Sequence, residues 1–98
     1  MALGATDTNI VSMTAAADEI TGTYFVNFFY WFSKSAIAGD DLSVTDTAGN
    51  VIWNCVADGS NFIKLFPVKT YVTGVKVATI DSGTLYVVKQ SFAAGKSV

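Results

Sequence analysis

The chain has 98 residues, a length that supports one domain and no more. Hydrophobic residues make up 51% and charged residues 14%, which excludes a disordered tail, because disorder combines low hydrophobicity with high charge. Six lysines against eight acids leave a net charge of −2, and the absence of arginine and histidine excludes Ser-His-Asp and Cys-His catalysis.

Residues 1–22 read as a small, polar N-terminal arm. Ile10-Val11 centres a short strand over 9–14, and Ala15-Ala16-Ala17-Asp18-Glu19 allows one helical turn that is too short to stand alone. No positive segment leads into an apolar run after Met1, so no signal peptide is expected. The longest apolar stretch, 24–32, is broken by Asn27 and falls well short of the roughly 20 residues of a spanning helix. No membrane partner is expected.

A β domain is expected over 23–90. It opens with Thr23-Tyr24-Phe25-Val26-Asn27-Phe28-Phe29-Tyr30-Trp31-Phe32-Ser33, a block of the aromatic and β-branched residues that strands prefer. Split by period two, one face carries Tyr24, Val26, Phe28, Tyr30 and Phe32 without a polar break, and it is assigned to the core. The other carries Phe25, Phe29 and Trp31. A small two-layer fold has one interior, so these three are assigned to contacts between chains, the alternative being that the N-terminal arm folds over them within the same chain.

Ala38-Gly39-Asp40-Asp41 breaks the pattern before the strand Leu42-Ser43-Val44-Thr45. Asp46-Thr47-Ala48-Gly49 has the residues of a type I turn. A loop of those four residues sets Thr45 opposite Asn50 and places Leu42 and Val44 on one face with Val51, Trp53, Cys55 and Ala57. Asp58-Gly59-Ser60-Asn61 marks another turn. Phe62-Ile63-Lys64-Leu65-Phe66 follows, stopped by Pro67 at a strand end or an edge, with a further extended piece over 68–72 punctuated by Gly74. Residues 75–80 and 84–89 flank Asp81-Ser82-Gly83 as a hairpin, and 91–98 read as a C-terminal tail. Six to eight short strands without a helical period predict an all-β fold, a single antiparallel β-sandwich or small jelly roll.

Candidate sites are few. The lysines are scattered among acids, so no nucleic-acid partner is expected. Asp40, Asp41, Asp46 and Asp58 carry oxygens that calcium accepts, but each stands where a turn wants an aspartate, and no metal site is assigned. Cys55 has no partner for an internal disulfide and alternates in phase with Val51 and Trp53, as a small buried hydrophobe does. Gly95-Lys96-Ser97 matches only the end of a phosphate-binding loop, because position 90 is Gln90 where that loop needs glycine. Carboxylates alone can hydrolyse glycosides, yet the acids all fall in turn-like or terminal positions, so no catalytic residue, enzyme activity or cofactor is expected. Trp31, Trp53, Tyr30 and Tyr71 form the alternative, a sugar-stacking platform.

Gly39-Asp40-Asp41-Leu42-Ser43-Val44-Thr45-Asp46 running into Gly49-Asn50-Val51-Ile52-Trp53, then Val56-Ala57-Asp58-Gly59, Gly74-Val75-Lys76-Val77 and Asp81-Ser82-Gly83-Thr84-Leu85-Tyr86-Val87, resembles small all-β proteins of tailed-phage virions, some of them head-decoration or cement proteins. The resemblance spans roughly 22–89 and carries over no catalytic residue. It implies a virion component that binds the capsid or the tail. With the aromatic face assigned to contacts between chains, the expectation is a structural protein, assembled in the host cytoplasm, whose partners are further copies of itself, as a trimer, and the major capsid protein or another virion protein. The alternative function is a carbohydrate- or receptor-binding module at a phage tail.

Overall fold

The computed structural model describes residues 10–90. They form an all-β fold of six strands: β1 (Ile10–Met13), β2 (Glu19–Ser33), β3 (Asp41–Thr45), β4 (Val51–Val56), β5 (Phe62–Ile80) and β6 (Thr84–Lys89). The strands make one antiparallel sheet in the order β1-β6-β2-β5-β3-β4. Among the described residues no helix is long and apolar enough to cross a membrane.

The two long strands are the spine. β5 pairs with β2 from Phe62 to Lys76, and its last residues pair with β3. β2 pairs with β6 only along its C-terminal half, from Val26 to Phe32. The sheet therefore has a β1-β6-β2-β5 half at one end of the spine and a β2-β5-β3-β4 half at the other. It curls back on itself. Trp53 of β4 stacks on Phe29 at 6.1 Å and on Phe66 at 5.3 Å, and these two are cross-strand partners on β2 and β5. A strand at the far edge of the sheet thus covers the middle of its own spine, and one core closes between the halves, as in a small sandwich. Val11, Met13, Val26, Phe29, Trp31, Leu42, Val44, Val77, Leu85 and Val87 fill it.

The curl has local causes. The β2–β5 ladder shifts register between Ile20 and Thr23, beside Gly22, and again between Val26 and Phe28. Gly74 lies across from the first shift with φ +79°. A side chain there would collide with the Thr47 methyl group. The Thr47 amide and hydroxyl both donate to the Thr73 carbonyl, at 3.0 and 2.9 Å, so the β3–β4 turn is fastened where β5 bends.

The second shift overturns the face assignment made from period two. Val26 pairs with Lys89 and Phe28 with Val88, so Asn27 is an extra residue relative to β6 and the alternation of β2 reverses there. Tyr24 and Val26 point inward as expected. Beyond Asn27 the inward residues are Phe29, Trp31 and Ser33, all fully buried, while Phe28, Tyr30 and Phe32 face out and are half-buried. Of the three residues assigned to contacts between chains, Phe29 and Trp31 are core. Phe25, before the bulge, faces out and packs on Tyr71.

Other expectations meet smaller corrections. β1 and the start of β2 belong to the sheet, so the arm boundary at residue 22 falls inside β2. Residues 15–18 form the turn, with Asp18 Oδ2 accepting the Thr14 and Ala15 amides at 3.1 Å each. The Gly49 amide donates to Asp46 O at 3.1 Å, closing the expected turn, but a bulge at Val44–Thr45 moves the pairing two residues on. Val44 faces Trp53 and Leu42 faces Cys55, which keeps the shared face and changes the partners. β5 runs unbroken through Pro67 and Gly74. Pro67 is tolerated because that stretch has β2 on one side and no described strand on the other. The expected tail, 91–98, lies outside the described residues.

Candidate functional site

The reversal at Asn27 gives the β1-β6-β2-β5 half a second apolar face, pointing away from the core. The pairings set its rows. Ile10, Val88, Phe28 and Pro67 make one row, Ser12, Tyr86, Tyr30 and Leu65 the next, and Thr84, Phe32 and Ile63 the third. Ile10, Ile63 and Leu65 are 56%, 55% and 48% exposed at its margins. Tyr30 and Tyr86 lie together at its centre, ring centroids 5.9 Å apart and tilted by 42°. Beyond the bulge the outward side continues with Phe25 and Tyr71, in edge contact at 5.3 Å. No lysine, aspartate or glutamate stands in these rows.

The strand bordering this face is guarded along its open edge. Lys64, Pro67 and Lys69 lie on β5 where only β2 pairs with it, and Lys69 has φ +51° at the bulge. Charge, a missing N–H and a kink all obstruct strand addition. Among the described residues nothing covers the face, while that edge is closed.

The sequence-assigned polar and sulfur residues lie elsewhere. Trp31 Nε1 donates to Ser82 O at 2.9 Å, Ser33 and Ser82 hydroxyls meet at 2.7 Å, and Ser82 Oγ donates to Asp40 Oδ2 at 2.8 Å. The Asp41 amide donates to Asp81 Oδ2 at 2.8 Å, which extends this seam between the β5–β6 turn and the start of β3. Asp46 Oδ1 accepts the Asn50 and Ala48 amides at 2.9 and 3.0 Å. The Asn50 backbone N–H, then its side-chain amide, hold the Asp46 carboxyl below the usual carboxylate range. These aspartates are spent on turns, and among the described residues no three His, Cys, Asp or Glu side chains are grouped to hold a metal. Cys55 is half-buried, and burial pushes its thiol up against the opposing pull of Lys64.

The four platform residues are not brought together. Trp31 and Trp53 are buried, Tyr30 lies on the outer face and Tyr71 lies beyond the bulge. Lys89 was no candidate in the sequence, yet it is buried, with its ammonium 4.5 Å from the centre of the Tyr24 ring and donating to Gln90 O at 3.3 Å. A shallow depression of about 480 Å³ between the β1–β2 and β3–β4 turns is lined by Ala16, Ala17, Thr45, Asp46, Lys76 and Ala78. It lies open to solvent and lacks the enclosing walls of a ligand pocket. Gly95-Lys96-Ser97 lies outside the described residues.

No protein-family model, curated protein or solved structure matches this chain.

Proposed function

We propose that this chain is a non-enzymatic structural protein of a virion, of the decoration or cement type, which buries its outer face on assembly. The observation that carries this reading is the uncharged aromatic face of the β1-β6-β2-β5 half. Contiguous apolar patches beyond a few hundred Å² mark association surfaces when they occur on monomers. The resemblance to tailed-phage proteins supplies the particle. Turn-bound carboxylates and the lack of histidine leave little from which to build an acid–base pair.

The mechanism is mass action. A copy that binds only the assembled lattice adds about 2.7 kcal/mol per site when present at a hundredfold excess over its dissociation constant. The alternative, a carbohydrate- or receptor-binding module, loses half its platform because Trp31 and Trp53 are buried.

The test mixes the purified chain with tailed-phage heads prepared without it, then measures co-sedimentation and the temperature at which the heads release DNA. Saturable binding and a raised release temperature are expected. Heads that sediment alone, with an unchanged release temperature at saturating protein, would overturn the reading.

A further inference from the structure

We infer that the outer face pairs with the same face of a second copy of this chain, sheet on sheet about a two-fold axis. The inference rests on that face being the association surface, as in the virion reading, and commits it to one occupant.

The extent of the face is the first argument. Four strands about 4.8 Å apart, carrying three side-chain rows and the Phe25–Tyr71 extension, outline on the order of 400 Å² in projection. That matches the largest apolar patch an ordinary monomer exposes, roughly 300–600 Å². The accessible area of a corrugated aromatic surface exceeds its projection, so the face approaches the roughly 800 Å² per partner of a standard interface.

Charge selects the partner. The chain carries a net charge of −2, so two copies repel through most orientations. The three rows hold no lysine, aspartate or glutamate, and identical surfaces meet there without like charges. A two-fold contact needs a self-complementary patch, and a neutral one satisfies that condition. A partner recognised through ion pairs would find none to make.

The guarded edge sets the mode. Lys64, Pro67 and the Lys69 kink oppose strand addition along β5, which leaves face-to-face stacking at about 10 Å between sheets. The tyrosine hydroxyls of the central row bring their own donors and acceptors to the seam. Each copy carries one such face and a two-fold axis pairs it with one other, so the unit is a dimer rather than the trimer expected above.

The test is sedimentation equilibrium of the full chain over a concentration series, with no capsid present. The wild type is expected to have the mass of two chains. Leu65→Glu and, in the next row, Ile63→Glu should each weaken association at least a hundredfold with circular dichroism unchanged. The second variant serves if the first misfolds. Val56→Glu, at an exposed site on β4 away from the face, should associate as the wild type does. A wild type that stays monomeric at high concentration, a mass of three or more chains, or a Val56→Glu variant that dissociates as readily as Leu65→Glu would each overturn the inference. A dimer that ignores phage heads leaves the inference standing and ends the virion reading. A monomer that binds heads does the reverse.

Discussion

Phe29 has Trp53 stacked above it and lies beside Phe66 on the neighbouring strand, with none of its surface exposed. Truncation there opens a cavity between the two halves, and Phe29→Ala is expected to cost about 3–5 kcal/mol. At about 4–8 °C per kcal/mol for a domain of this size, the melting temperature should fall by at least about 12 °C in calorimetry. Phe29→Lys should abolish the fold, whereas period two alone would place that lysine harmlessly outside. Asp46 makes a different prediction. Its folded pKa is depressed, so its contribution is fully present above the ordinary carboxylate range and is lost as pH falls through the folded value. Acidification should therefore loosen the β3–β4 turn, and Asp46→Asn should remove that pH dependence, as read by hydrogen exchange at the Asn50 amide. The Asp46 turn is legible in the sequence because its chemistry lies within five consecutive residues. The burial of Lys89 is not, because it depends on Tyr24, which a different strand brings over it.

Strands and turns follow from local patterns, and most of them can be read directly. β1, β3, β4, the strand ends flanking Asp81-Ser82-Gly83 and the Asp46–Gly49 turn lie where composition and turn residues place them, but the expected hairpin of 75–80 with 84–89 does not form, because β2 lies between β5 and β6. The bulges cannot be read this way. Asn27 breaks the aromatic run by one polar residue, which is compatible with a continuous strand, and its extra place shows only against the register of β6. That single residue decides which aromatics are core and which form the outer face. On β5 the matching kink puts Lys69 in the left-handed region, at a cost of roughly 1–2 kcal/mol for a residue with a Cβ. Glycine removes that cost but loses about 0.5–1 kcal/mol in chain entropy, so Lys69→Gly should be stabilising by only about 0.5 kcal/mol. Lys69→Val, with a branched Cβ, should be destabilising instead. Urea titrations of the three proteins side by side would show the order.

At the scale of the whole molecule, an uncharged seam predicts an association insensitive to ionic strength. Raising sodium chloride from roughly 0.01 to 1 M shortens the Debye length from about 30 to about 3 Å and would dissolve a contact held by exposed ion pairs. The association constant measured by sedimentation should not fall over that range. Melting temperature should also rise with protein concentration, because binding between native copies draws on the folded state alone. The apolar sequence of the 24–32 run makes a sticky surface legible, but its location is a property of the curled sheet.

The sheet order also constrains how the chain can be made. Among the described residues β1 is held only by β6, and β2 must wait for β5 and β6, while just the β3–β4 pair can zip up between near neighbours. On the ribosome, then, a nascent chain holds β2 unpaired until β5 has emerged, and β1 unpaired until β6 has. Closure across such separations places refolding in the millisecond-to-second range of non-local β folds. The delay has a benefit. Tyr86 and Val88 of β6 supply a column of the outer face, so the surface that would join two copies is assembled only once β6 has docked on β2.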